Sequence, residues 1–199
     1  LALVKIGRPA IEPLMAAMKS RNDPVKWQAA AVLGLINDSN ATEALSLALE
    51  SNNSTVRYWG AASLGQIRDN RTRDALVSLL GDSNETVRNE AGWALKPLAG
   101  SGGGAEDLFI RLLKDEDPNR RMGAAHSLGD PAEVQAAPAL IEALQDSEPG
   151  VRSEAAAALG RRSESQAIMP LIEILDDSEE QVRKDGIKAL TEMGKQATE

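Results

Sequence analysis

Apolar residues along this chain fall into two kinds of cluster that alternate from end to end. The first kind places them at i, i+1 and i+4, as in Ala75-Leu76 with Leu79-Leu80, Leu140-Ile141 with Leu144, and Leu171-Ile172 with Leu175. That spacing puts them on one side of a half-buried helix. The second kind is Val56-Arg57-Tyr58-Trp59-Gly60-Ala61-Ala62-Ser63-Leu64-Gly65 and its relatives. Between the two lies an acidic turn, such as Asp82-Ser83-Asn84-Glu85, Asp115-Glu116-Asp117-Pro118 or Asp146-Ser147-Glu148-Pro149. Such residues cap a following helix and complement its dipole, and proline is accepted in a first turn. The motif leucine returns at Leu33, Leu64, Leu95, Leu128, Leu159 and Leu190, in steps of 31, 31, 33, 31 and 31 residues. A fixed period of this size marks a repeat solenoid. The expected fold is therefore an all-α solenoid of about six helix pairs, with second helices beginning near Val25, Val56, Val87, Arg120, Val151 and Val182.

The pairs are expected at 8–36, 41–67, 73–98, 105–129, 134–161 and 165–194, in one continuous domain. Residues 1–7 read as a partial repeat, because Leu3-Val4-Lys5-Ile6-Gly7 matches the second-helix tail Leu190-Thr191-Glu192-Met193-Gly194. A helix over 1–6 is expected at the front, and the array reads as a piece of a longer one. The junction 97–104 is irregular. Lys96 replaces the usual glycine, Pro97 stops or kinks the helix, and a glycine run follows. It reads as a loop insertion, or as a hinge between two three-repeat halves.

The copy Val151-Arg152-Ser153-Glu154-Ala155-Ala156-Ala157-Ala158-Leu159-Gly160 resembles the short HEAT-like repeat of phycobilin lyase subunits and many other proteins. Ala167-Ile168-Met169-Pro170-Leu171-Ile172-Glu173-Ile174-Leu175 is similar to that family's first helix, and Ala10-Ile11-Glu12-Pro13-Leu14 matches it more loosely. The resemblance covers essentially the whole chain. It implies a right-handed αα superhelix whose second helices line the inner, concave surface. It says little about function, since this repeat serves many roles.

An ideal helix advances about 100° per residue. Counting from the motif valine, positions +4, +5, +7 and +8 then share its side, which is the core. Positions +2, +3, +6 and +10 lie opposite. On that outer strip stand all three Trp, the only Tyr and the only His. The candidate binding residues are Trp27 and Gln28 in repeat one, Tyr58 and Trp59 in repeat two, Glu90 and Trp93 in repeat three, and Met122, His126 and Asp130 in repeat four. Trp and Tyr are enriched at binding hot spots. Phe109, in a first helix, reads as core. The recurrent base at +1 (Lys26, Arg57, Arg88, Arg121, Arg152, Arg183) reads as structural. Its stem packs between repeats and its head pairs with the acidic turns or with carbonyls.

Composition narrows the chemistry. The 199 residues carry a net charge of −8, which argues against a general nucleic-acid binder. There is no cysteine, hence no disulfide, thiolate metal site or cysteine nucleophile. A single histidine excludes a histidine metal site. His126 and Ser127 are helix neighbours that do not face each other. Deoxyhypusine hydroxylases, which have similar repeats, depend on His-Glu pairs that this chain lacks. The HEAT-like alkyl-base DNA glycosylases use a basic groove, opposite in sign to this chain. Gly102-Gly103-Gly104 lacks the lysine and strand context of a phosphate loop. Six Asn-x-Ser/Thr triplets, starting at Asn37, Asn40, Asn52, Asn53, Asn70 and Asn84, follow from the composition of the turns. No apolar run reaches the roughly 18 residues of a membrane span, and no signal peptide is visible. The expected function is a non-enzymatic cytoplasmic scaffold that binds a protein partner in an aromatic-lined concave groove. No cofactor, metal, nucleic acid or membrane is expected. The alternative is a phycobilin-lyase-like subunit holding a linear tetrapyrrole, with Asp130 or Glu90 meeting its propionates or ring protons.

Overall fold

The computed structural model describes residues 7–98, 104–131 and 135–196. The helix expected over 1–6 and most of the junction 97–104 lie outside the described residues. Twelve α-helices are seen, and no strand among the described residues. They are α1 (Ile11–Met18), α2 (Asp23–Ile36), α3 (Thr42–Ala48), α4 (Ser54–Ile67), α5 (Arg73–Leu79), α6 (Glu85–Leu95), α7 (Gly104–Leu112), α8 (Pro118–Leu128), α9 (Ala136–Ala143), α10 (Pro149–Arg162), α11 (Ile168–Glu173) and α12 (Glu180–Gln196). Odd-numbered helices are the first of each pair and even-numbered ones the second. The chain forms two compact units, Leu1–Ser101 with α1 to α6 and Gly102–Glu199 with α7 to α12.

Within each unit the second helices stack directly on one another: α2 on α4 and α4 on α6, then α8 on α10 and α10 on α12. The motif glycine at +9 permits this. A Cβ on Gly65 would stand 2.8 Å from Ala94 Cα, and one on Gly160 2.7 Å from Ala189 Cα. Gly34 meets Ser63 in the same way, and the buried Ser63 hydroxyl donates to the Ala30 carbonyl at 2.8 Å. These glycines sit inside their helices. The long second helices end three residues later, at Asn37, Arg68 and Ser163, each left-handed at φ 53–57°. The motif leucines Leu33, Leu64, Leu95, Leu128 and Leu159 are fully buried, as is Phe109. After α6, the segment Lys96–Leu98 tightens to a 3-10 turn around Pro97, which cannot continue the helical bonding.

The +1 arginines form a ladder. Arg57 grips Asp82 bidentately, with Nε and Nη2 at 2.6 and 2.7 Å from the two carboxylate oxygens, and its Nη1 donates to Ser51 O at 2.8 Å. Arg121 holds Asp146, and Arg152 holds Asp177, with the same geometry. Each aspartate is 25 residues on, in the acidic turn of the next repeat. The same carboxylates fold that turn by accepting the backbone N–H two residues ahead, at Asn84, Glu148 and Glu179. True helix caps come next in the turn: Asn53, Asn84 and Asp117 accept N–H groups of the first helical turn. Arg88 and Arg183 bind the carbonyls of Asp82 and Asp177.

Motif positions are not equally covered. Val25, expected in the core, is 36% exposed, and Leu190 is only half-buried. Ile187 is 57% exposed, whereas Ala156, its equivalent 31 residues earlier, is fully buried beneath the following pair. Burial of a repeat face needs a neighbouring repeat, and none of the described residues covers these.

Two outcomes follow. Leu64→Ala is expected to lower unfolding free energy by about 2–5 kcal/mol, as for core truncations, and Leu190→Ala by clearly less. Urea denaturation of the two variants checks this. The second outcome concerns acid. Arg152 holds the Asp177 carboxyl below its ordinary range. Burial pushes Asp82 and Asp146 up, but Arg57 and Arg121 with the turn N–H groups bring both below it. A depressed folded pKa contributes stability that is present above the unfolded value, near about 3.9, and is lost as pH falls through the folded value. Thermal melts should therefore show these contributions constant from pH 7 to about 5 and lost below about 4. Asp82→Asn should flatten the acid slope.

Candidate functional site

Motif positions +2, +3, +6 and +10 are half-buried or exposed, with one exception. Gly123, at +3 of α8, is buried because it has no side chain to project. The predicted residues resolve into two clusters, one in each unit.

In the first unit the cluster runs across α2, α4 and α6. Trp27 and Trp59, one repeat apart, stack with ring centroids 6.0 Å apart and planes 22° from parallel. Tyr58 meets Trp59 edge-on at 5.5 Å. These three rings, expected to be exposed, are half-buried because each covers the next. Trp93 is 61% exposed and carries the Lys96 ammonium 4.7 Å from its ring centroid, a cation–π contact. Gln28 is exposed. Glu90 faces the Tyr58 hydroxyl. Burial pushes the Glu90 carboxyl above its usual range, and Tyr58 offsets this only in part. The Glu90 charge in turn raises the Tyr58 phenol. Beside them lies an open cleft of about 490 Å³ lined by Leu35, Ala62, Gln66, Arg68, Glu90 and Trp93 among others.

In the second unit, His126 Nδ1 lies 2.9 Å from Glu154 Oε1, and Arg161 Nη2 donates to the same oxygen at 3.1 Å. Burial pushes Glu154 up, but His126 and Arg161 hold it below its usual range. Met122 is half-buried nearby on α8. Asp130 is half-buried, and its carbonyl accepts from Arg162 at 2.6 Å. Glu154 and Arg161 belong to this cluster and were not among the candidates. Their signal is register, since they occupy the +3 and +10 positions that define the strip. Ser127 donates to Gly123 O and does not meet His126, so no nucleophile–base pair forms there. No group of three or more His, Asp or Glu among the described residues is placed to hold a metal. No described helix is long and apolar enough to cross a membrane. A larger cavity of about 770 Å³ lies away from the strip, against α1 and α3, lined by Glu12, Met15, Lys19, Glu43 and Leu47 among others.

Comparison with known proteins identifies the repeat. The HEAT-repeat model matches residues 11–96, 99–149 and 137–198. The chain belongs to the HEAT-repeat family. Among solved structures, it is similar to a chain from a study of microtubule plus-end tracking by XMAP215, CLIP-170 and EB1. That match has TM-score 0.58, 13% identity, and covers 98% of this chain and 92% of that one. It is also similar to YibA of E. coli, with TM-score 0.56, 22% identity, and coverage of 96% and 72%. Human deoxyhypusine hydroxylase aligns at TM-score 0.48 and 22% identity, over 98% of this chain and 88% of that one. At these identities the first two likenesses show the fold alone. Among curated proteins, none matches this sequence.

The HEAT strip places the rings differently from a core. Trp93→Ala should change stability by no more than about 0.5 kcal/mol, as exposed substitutions do. Trp59→Ala should lower it by about 1–2 kcal/mol through two lost ring contacts, less than the roughly 3–5 kcal/mol of a core tryptophan. Chemical denaturation of both variants measures this.

Proposed function

We propose that this HEAT-repeat chain is a non-enzymatic scaffold that binds a protein partner on the strip formed by its second helices. One observation carries the reading. Four of the five aromatic residues in the chain, Trp27, Tyr58, Trp59 and Trp93, stand on this strip within one unit. The buried core is mostly Leu, Val and Ala, with Phe109 as its one aromatic residue. Aromatic anchors flanked by polar groups are the usual composition of a hot spot. The repeat fold is commonly used for protein interaction. We further place the repeats with the short phycobilin-lyase type, on the Val151–Gly160 motif, and treat residues 8–194 as six such repeats whose strip is the concave side. The reading places the protein in the cytoplasm.

The test is crosslinked capture from the native source, comparing wild type with Trp93→Ala and with Met169→Ala, an exposed change on a first helix. The scaffold reading expects a specific partner retained by wild type and Met169→Ala and lost by Trp93→Ala. Capture unchanged by Trp93→Ala contradicts it. So does a shifted, saturable absorbance spectrum on mixing with a linear tetrapyrrole, which points instead to a chromophore-binding subunit.

A further inference from the structure

We propose that the aromatic strip of the first unit, at Glu90, takes a lysine or arginine side chain from a basic segment of the partner. The inference rests on the scaffold reading above and names the chemistry of what binds.

Glu90 and Glu154 both occupy +3 of a second helix, in α6 and α10. In the second unit this carboxylate is served by the chain's own cations. Arg161 comes from +10 of the same helix and His126 from +6 of the preceding one. In the first unit the equivalent positions are Pro97 and Ala62, neither of which can donate to a carboxylate. Glu90 is left with the Tyr58 hydroxyl, and no cation pairs with it among the described residues. Where the second unit has imidazole and guanidinium on the carboxylate, the first has the open cleft lined by Ala62, Arg68, Glu90 and Trp93, and Arg68 does not act on the Glu90 carboxyl.

The surroundings suit a cation for two further reasons. Indole faces attract ammonium and guanidinium groups, and Trp93 already holds the Lys96 ammonium, which shows that the ring is placed for such contacts. The net charge of −8 also favours a basic partner over an acidic one. A half-buried carboxylate without a counter-ion is poorly solvated, and a charge-assisted hydrogen bond from a bound cation relieves that. Burial raises the Glu90 pKa, so the folded state gains stability as Glu90 takes up its proton at lower pH. Glu90→Gln is therefore expected to fold at least as stably as wild type at neutral pH.

The probe is a synthetic decapeptide of alternating lysine and serine, followed by tryptophan fluorescence and calorimetry on the whole chain. Comparison peptides carry norleucine or glutamate in place of lysine, and spermidine tests a free polyamine. Saturable binding of the lysine peptide alone is expected, weakened about tenfold in Glu90→Gln and unchanged in Glu43→Gln, on the exposed side of α3. In the double variant Ala62→His with Pro97→Arg, which transplants the second unit's cations, peptide binding should disappear. Equal binding by Glu90→Gln, by the glutamate peptide or by spermidine overturns the inference, as does no binding of the lysine peptide. If the lysine peptide fails while Trp93→Ala still abolishes partner capture, only the cation assignment falls. If both fail, the scaffold reading falls with it.

Discussion

The structure depends on how closely neighbouring second helices approach. At Gly34, Gly65 and Gly160 no Cβ fits without displacing the next helix. A glycine inside a helix weakens it by about 1 kcal/mol relative to alanine, and here that cost is offset by backbone-to-backbone packing. The approach also decides where bulk can go. Between second helices there is room for Ala, Ser and Gly. The leucines and valines fill the layer shared with the first helices. Of the five aromatic residues Phe109 alone is buried, and the other four stand on the strip.

The arginine ladder fixes what close packing alone leaves free. Sliding one repeat along the next would keep small residues in contact with small residues. It would break the two-pronged Arg57–Asp82, Arg121–Asp146 and Arg152–Asp177 pairs, which reach from one second helix into the following turn. Because each aspartate also closes its own turn, the pair ties helix register to turn geometry. A pair this buried adds little net stability over an apolar replacement, yet losing one partner is strongly destabilising. Its contribution is to specificity of stacking. A regular stack in turn presents +2, +3, +6 and +10 at constant spacing, which is how Trp27 meets Trp59 and how Glu154 meets His126.

Much of this is legible from the residues. Period, helix pairing, the buried leucines, Phe109 and the role of the +1 arginines follow from spacing and side-chain chemistry. What is not legible involves a neighbouring repeat. A helical wheel treats each helix alone, so it makes Trp59 exposed, and only the stack shows Trp27 covering it. The same limit hides the His126–Glu154–Arg161 cluster, whose members come from two repeats. It hides the contrast between Leu159 and Leu190 too, identical in motif and different in cover. Gly123 escapes the wheel for a simpler reason, having no side chain to place. The identity of a partner is written in neither the period nor the core.

The central proposal is that the strip carrying Trp27, Tyr58, Trp59 and Trp93 binds the partner. Hydroxyl-radical footprinting read by mass spectrometry tests it directly, on the protein alone and with its partner bound. The account predicts fast modification of Trp93, slower modification of Trp27, Tyr58 and Trp59, and none of Phe109, with partner protection concentrated on those four rings. Modification of Phe109 at the rate of Trp93 would contradict the helix phase. Protection confined to Met15, Met18 and Met169 on the first helices would contradict the site.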